Sequence, residues 1–443
     1  MSSEWHTPTV PLDDQRRTSM FLQFHTLTSY PGTLLNRDDA GFAKRLPFGG
    51  STRIRVSSQC LKYHWRNFDG ENALYRMDVP KSLRSRETFR RRIAQPLIDD
   101  GYPEPLVYAV TLSLKERVVS GGTANKSDVK KAIQAEEPKE ISEALDTNQV
   151  TILGAPEMNY LHDLAADVLD SVEDEFSVFW EDNGEPDSDA VGDAADAIRK
   201  SDLLKAKDVK KNLKGLSLAS GLDAALFGRM ATSDVLARGD AAIHVAHAFT
   251  THKGEAESDY FSAVDELRRD EPEESGEMGA GHINSQELTS GLFYSYVVID
   301  VSLLVSNLEG CPREEWTEAD HTLASSVVER FVHLMATVSP GAKLGSTAPY
   351  SYAQCMIGEA GTAQPRTLAN AFQTAVPRND VLNSSMASLA EHIEGMNGMY
   401  GSTNDVRLAA MGETDALADA LGVEDTVSVP EIAEWSAGVV RGA

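Results

Sequence analysis

The alternation of apolar and polar positions divides the chain into sheet-like ends and a charged helical middle. Residues 1–19 are polar, carry two prolines and read as a flexible lead-in. Phe21 to Thr28 (FLQFHTLT) reads as a buried strand. Arg53 to Val56 alternates basic with apolar residues, as a half-buried strand would. Ser57 and Ser58 are N-cap residue types, and Gln59 to Asn67 reads as the helix they open. Residues 69–215 look mostly helical and charged. Within them Val119–Asp146 has few large apolar residues and reads as a mobile insertion, and Asp182–Asp193 as a polar loop. Sheet patterning returns at Asp223–Leu226 and Ala241–Thr251. A polar stretch, 252–290, follows, too long for a simple turn between strands and therefore either functional or disordered. Leu292–Leu304 is a strong strand and Trp316–Val338 an amphipathic helix ended by Pro340-Gly341. A weak strand pair lies around Tyr350–Ile357, with helices at Thr367–Val376, at Asn383–Met396 and from Pro430. The order predicts an α+β fold with appendages.

Charge changes this picture. The chain has 443 residues, 41% of them hydrophobic, enough for two to three domains, yet its formal net charge is -27. A protein that grips phosphates normally shows a basic footprint. The cations are segregated, however. Arg37 to Arg66 holds seven Lys or Arg against Asp38 and Asp39, and further basic runs span Lys81–Arg92 and Arg199–Lys214. That segregation permits one cationic groove on an acidic body. Three cysteines, Cys60, Cys311 and Cys355, form neither a disulfide framework nor a zinc ribbon and suit a reducing compartment. The N-terminus lacks the apolar core of a signal peptide, and no stretch approaches the ~20 apolar residues that cross a bilayer. The expected location is cytoplasmic, with no membrane partner.

The sharpest local signal is FGGSTRIRVSSQCLKYHWR, Phe48 to Arg66. On a helix Gln59, Lys62 and Arg66 share one face, while Leu61, Trp65 and Phe68 lie on the other. A helix N-terminus attracts phosphate, and Gly49-Gly50 lets backbone amides approach an anion. The alternative is a solvated basic helix face. His244, His247 and His252 would not converge if Ala241–Thr251 is a strand, which disfavours a metalloenzyme; the expectation is no metal and no cofactor. Asp38-Asp39 could hold a divalent ion, but such a pair more often organises a turn. A phosphate loop, a nucleophile elbow and an HExxH pair are all absent from the sequence. In Leu226–Ser233, Met230 could wedge against a base while Arg229 and Thr232 reach phosphate or sugar; a core methionine is the alternative.

These strings resemble a known family. LLNRDDAGFAKRLPFGGSTRIRVSSQCLKYHWR (Leu34–Arg66) is similar to the N-terminal signature of CasC (Cse-four type) backbone subunits of the type I-E CRISPR Cascade complex. FGRMATSDV (Phe227–Val235), AHAFTTHKGEAESDYFSAVDEL with SQELTSGLFYSY, and MATVSPGAK followed by LANAFQTAV agree in the same order. The resemblance implies a right-hand shape: a modified RNA-recognition-type (ferredoxin-like) palm sheet, a helical fingers insertion and a thumb loop or hairpin. It divides the chain into a lead-in at 1–19, palm at 20–68, fingers at 69–215, palm at 216–253, thumb at 254–290, and palm with C-terminal helices at 291–443. It implies a non-catalytic subunit that binds guide RNA (crRNA), stacks head to tail with copies of itself, joins other Cascade subunits and presents the guide to target DNA. Carried over by position, the RNA contacts are Arg37, Lys44, Ser57, Gln59, Lys62, Arg66, Arg229 and Met230, and Tyr260-Phe261 flank a displaced base. Tyr63 stands where relatives usually carry a cation, and Asp270–Gly281 makes the thumb tip larger and acidic. The competing expectation is an RNA-cleaving, type III-like backbone subunit using Asp259 or Asp265.

Overall fold

The computed structural model describes residues 19–179, 187–216, 218, 220–229, 235–236, 239–264, 280–342, 344–401 and 404–443. The chain forms two compact units. One comprises the chain up to Met77, Ile243–Ser302 and Asp320–Ala443; the other comprises Asp78–Ala242 and Leu303–Ala319.

Eleven strands occur among the described residues: β1 (Phe21–Thr33), β2 (Arg45–Phe48), β3 (Ser51–Val56), β4 (Ser82–Ser85), β5 (Thr151–Gly154), β6 (Ile243–Val245), β7 (Ala248–Thr250), β8 (Ala256–Val264), β9 (Ala280–Asp300), β10 (Ala353–Gly361) and β11 (Asp405–Ala410). In the first unit they make one antiparallel sheet in the order β11-β10-β1-β9-β7-β3-β2, with β6 and β8 also paired to β9. The centre of the sheet is β1 against β9, in register from Phe21 opposite Asp300 to Tyr30 opposite Gly291.

Both faces of that pair are covered, which is why β1 is buried along nearly its whole length rather than alternately. On one face lie helix α1 (Ser58–Arg66) and the helix Thr322–Thr337, joined where Trp65 meets Phe331 edge-on at 5.2 Å. On the other, Leu27, Leu292, Tyr294 and Ile357 pack with Met386, Leu389 and Ile393 of the helix Val381–Tyr400. The last helix, Val429–Gly442, opens on a capping box in which Ser428 and Glu431 satisfy each other's backbone N–H groups.

The polar stretch after β7 is the tall hairpin of β8 and β9, running from Ala256 opposite Thr289 to Val264 opposite Ala280. The predicted strand Leu292–Leu304 stops at Asp300, where the helix Val301–Glu309 begins. Ala241–Thr251 is two short strands rather than one, and β11 has no counterpart in the sequence reading.

The second unit is helical, with the small ribbon β4-β5 beside it. It begins later and ends later than the 69–215 expected. Asp223–Leu226 is not a strand but part of the helix Leu222–Phe227, bracketed by Gly221 and Gly228 at φ 78 and 79. Its Leu222, Ala224, Ala225 and Leu226 are buried, so the segment belongs to this unit. Val119–Asp146 is also ordered differently from the expectation. It contains the helices Lys126–Ile133 and Pro138–Leu145, with Val129, Ala132, Ile133 and Leu145 buried in the unit's core. One apolar face per short helix suffices for docking, so a low apolar content did not mean mobility.

Candidate nucleic-acid interface

The predicted basic stripe lies on α1. Leu61 and Trp65 are buried, Gln59 and Tyr63 are exposed, and Lys62 and Arg66 are half-buried on the flank of the exposed side. The solvent face is therefore centred on Gln59 and Tyr63, with the two cations along one edge of it. Ser57 is the N-cap, its Oγ accepting from the Cys60 N–H at 3.3 Å. The Ser58 N–H donates to His247 Nδ1 at 2.9 Å. Of the first-turn donors, Gln59 N–H is the one with no partner among the described residues, so the helix start offers an anion one backbone donor rather than a full set.

The loop before β2 is built against this helix. Asn36 accepts from the Ser57 N–H through its side chain and from the Lys44 N–H through its carbonyl, both at 2.9 Å. Lys44 in turn accepts from the Arg55 N–H at 2.8 Å. Arg55 and Lys44 act on His247: burial lowers its affinity for a proton, and both cations lower it further. Burial pushes the Cys60 thiol up to about 11, with Lys44 opposing it. Lys44 and Arg55 thus set a positive potential at the start of α1.

The loop's far side meets the root of the hairpin. Asp38 folds the turn by accepting from the Ala40 and Phe42 N–H groups at 3.0 and 2.9 Å, the organising role expected of that aspartate. Glu287 of β9 accepts from the Ala43 N–H at 2.6 Å and pairs with Arg45. Arg37 is exposed beside a cleft at this junction.

The glycine pair does something other than bind anions. Gly49 and Gly50 form the two-residue turn between β2 and β3, at φ 58 and 76. A Cβ on Gly49 would lie 1.5 Å from the Gln373 carbonyl oxygen. This turn precedes β3 and α1 follows it, so the two are separated by a six-residue strand, or roughly 20 Å. They do not form one phosphate site. Arg53 also leaves the cationic cluster. It is fully buried, donating to the carbonyls of Thr250, Thr251 and Phe372 at 3.0, 2.6 and 2.8 Å.

With this geometry in place, residues 22–435 match the CT1975-like protein family over nearly the entire chain. The chain belongs to the CT1975-like protein family. Its fold is similar to that of a chain in a solved "CRISPR RNA-guided surveillance complex, pre-nicking", at 24% identity and a TM-score of 0.71, covering 95% of this chain and 100% of that one. A second, from a "CRISPR RNA-guided surveillance complex", aligns at 21% identity and a TM-score of 0.61, covering 96% and 100%. No curated protein matches.

In this CT1975-like chain the remaining expected site residues are dispersed. Arg229 lies in the second unit, buried, with its guanidinium 2.6 Å from Glu157 and 3.3 Å from the Ile152 carbonyl. A guanidinium so committed is a structural group, and the exposed RNA contact expected of Arg229 is corrected on that ground. Met230 lies outside the described residues, as does Asp265. Tyr260, in β8 opposite Ser285, is 65% exposed; Phe261 follows it opposite Asn284.

The three histidines do not converge. His252 is buried at the hairpin root, with Nδ1 2.9 Å from the Lys253 carbonyl and Nε2 accepting from the Leu292 N–H at 3.2 Å. Among the described residues no group of His, Cys, Asp and Glu could hold a metal. None of the described helices is long and apolar enough to cross a membrane.

Sequence reasoning missed Asn36 and Glu287. Nothing in the string around Asn36 marks its side chain as a partner of Ser57, and Glu287 acts on residues 242 and 244 positions away, a relation with no local signal.

Proposed function

We propose that this chain is the guide-RNA-binding backbone subunit of a Cascade-type surveillance complex of the type I-E kind. It holds crRNA without cutting it, lines up with copies of itself and other Cascade subunits in the cytoplasm, and presents the guide to target DNA. The observation that carries this reading is α1 with the Asn36–Lys44 loop tied to its start. There Gln59, Lys62 and Arg66 lie on one side of the helix and Lys44 stands by its first turn on an otherwise acidic chain, with Arg37 on the far side of the same loop. Guanidinium, ammonium and amide groups along one edge suit a phosphodiester track read without regard to sequence.

The likeness to chains of CRISPR RNA-guided surveillance complexes supports the same reading. So does the sheet. Its core order β10-β1-β9-β7, with α1 between β1 and β7 in sequence and Thr322–Thr337 between β9 and β10, is the order a ferredoxin-like, RNA-recognition-type palm requires. The hairpin of β8 and β9 then takes the place of the thumb. Its RNA path differs from the usual sheet-face platform. His25 of β1 is buried and stacks at 4.8 Å on the half-buried Tyr296 of β9, so these rings are engaged with each other, which directs RNA to α1 and the loop.

The test is expression of the full chain with its neighbouring subunits and a guide array, followed by extraction of bound nucleic acid. Short RNAs of uniform length should copurify, and changing Lys62 and Arg66 together to alanine should deplete them. Assembly and RNA content identical to wild type would refute the reading. Incubation with complementary RNA and magnesium should leave that RNA intact; stepwise cleavage lost in Asp259→Ala would replace the reading with the RNA-cleaving one.

A further inference from the structure

We propose that the groove along the helix Val381–Tyr400 is the docking site of the chain's own N-terminal stretch, with Trp5, Val10 and Leu12 as the anchors. This stands independently of the guide-RNA reading. The groove has a volume of about 550 Å³. Ala371 stands on one side of it, and His392, Gly395, Met396, Met399 and Tyr400 on the other. Those five positions are spaced i, i+3, i+4, i+7 and i+8, so they form one stripe along a single face of the helix.

Two features mark the stripe as a surface built to be covered. Met399 and Tyr400 are 75% and 71% exposed, while Met386, Leu389 and Ile393 of the same helix already fill the core. Neighbouring large apolar side chains left in water on a helix mark a contact face. A Cβ on Gly395 would meet nothing within 4 Å, so no described residue lies over the stripe there. The second feature is polar. The Nε2 of His392 is buried and has no hydrogen-bond partner among the described residues. Buried polar atoms are nearly always satisfied, and an occupant's main chain supplies the missing partner. Burial, with Arg366 adding to it, lowers the affinity of this imidazole for a proton, so it meets an occupant uncharged.

The choice of occupant follows from where the described chain begins. Arg366 donates its N–H to the side-chain oxygen of Gln23 in β1 at 2.8 Å and its guanidinium to Asn397 of the helix at 3.0 Å. The start of β1 therefore stands beside the last turns of the helix, where Met396, Met399 and Tyr400 lie. Residues 1–18 lie outside the described residues. A stretch of that length reaches about 60 Å when extended, whereas His392 to Tyr400 covers only about 12 Å at ~1.5 Å per residue. Trp5, Val10 and Leu12 supply large apolar side chains within that reach. Arg16 and Arg17 fall between these anchors and β1, and Glu391 and Glu394 are exposed on the helix with no ion pair among the described residues. A tethered segment docks at a high effective concentration, so modest contacts suffice to hold it.

The experiment exposes the full-length protein, free of RNA, to dilute hydrogen peroxide and follows methionine oxidation by mass spectrometry. Met411, 60% exposed and outside the groove, is the internal reference. Oxidation follows exposure, so a covered Met399 should react roughly tenfold more slowly than Met411. Trp5→Ala with Leu12→Ala should bring Met399 up to the rate of Met411 and leave Met411 unchanged. In a second measurement, Leu12→Cys with Met399→Cys should form an intramolecular disulfide in dilute protein. Oxidation of Met399 as fast as Met411 in the wild type overturns the proposal. Protection that survives the double substitution overturns it too, and if that protection fades on dilution the occupant is a second copy. None of these readouts involves RNA, so failure here and failure of the guide-RNA reading remain distinct.

Discussion

Replacing Arg53 with methionine separates two roles that its position in the basic cluster conflates. The side chain lies wholly inside the first unit, where its guanidinium ties β3 to the Thr250 and Thr251 carbonyls at the end of β7 and to the Phe372 carbonyl. Methionine keeps much of the volume but abandons three carbonyl oxygens. Hydrogen bonds to a charged group contribute ~1.5–3 kcal/mol each, and breaking a buried charged arrangement on one side costs ~3–5 kcal/mol in total because the terms are not additive. For a domain of this size 1 kcal/mol moves the melting temperature by ~2–4 °C, so Arg53→Met should lower it by roughly 10 °C. Differential scanning calorimetry of wild type and variant measures the shift. RNA titrations across a salt series, below the variant's melting point, should show a slope equal to wild type, because Arg53 touches no phosphate. The reasoning is refuted if the melting temperature moves by less than about 2 °C while the salt slope flattens, since Arg53 would then be a ligand-facing cation.

The opposite outcome is expected of Lys62→Ala with Arg66→Ala: nearly unchanged melting, and a salt slope smaller by about 1.4, or 0.7 for each single-strand phosphate that is no longer neutralised. Gly49→Ala should destabilise more than Gly50→Ala. Both sit at positive φ, which costs roughly 1–2 kcal/mol, but a Cβ meets the Gln373 carbonyl only at Gly49, and thermal melting of the pair would contradict this if Gly50→Ala fell lower. His252 should make stability depend on pH. Burial, with Arg378 and Arg53 adding to it, holds its folded pKa below the unfolded 6.5, so the unfolded chain binds more protons and stability rises with pH across that window. The contribution is complete above about 6.5 and is lost as pH falls through the depressed value. Melting curves from neutral to mildly acid pH should show a shallower dependence in His252→Gln, and an unaltered dependence would remove His252 as a cause.

What could be read from the sequence follows the range of the forces involved. β1, α1 and the distal part of β9 were legible because each writes its own pattern: a long apolar run, an N-cap serine before Leu61 and Trp65, an aromatic and β-branched run from Leu292. Asp223–Leu226 was misread because four apolar-rich residues fit either a strand or a helix, and the glycines that bracket it as a helix carry no period. Arg53 was assigned to the solvent because alternation reports one buried face, whereas β3 is buried on both sides where Phe372 arrives from 319 residues away. The same limit applies to the interface. The spacing of Gln59, Lys62 and Arg66 predicted a shared face, but the seating of Arg37 and Lys44 beside them depends on Asn36 and on Glu287 from the hairpin, pairings that exist only once the sheet has formed. Arg229 looked like a ligand-facing cation for the converse reason: its partner, Glu157, lies 72 residues earlier.

A net charge of -27 argues against RNA binding only if that charge is spread evenly. Here it is not. From Glu391 to Glu434 ten carboxylates face a single Lys or Arg, Arg407, and one of them, Asp405, lies in β11 at one end of the sheet. β3, which leads into α1, lies five strand positions away, or about 24 Å at ~4.8 Å per strand. The Debye length at physiological ionic strength is about 8 Å. Three such lengths reduce the field of the β11 carboxylate at the first turn of α1 to a small residue, while Lys44 and Arg55 act there at close range. The anion is therefore governed by the nearest cations and not by the total charge, and an acidic chain can hold a phosphodiester strand provided its sheet keeps the two edges apart.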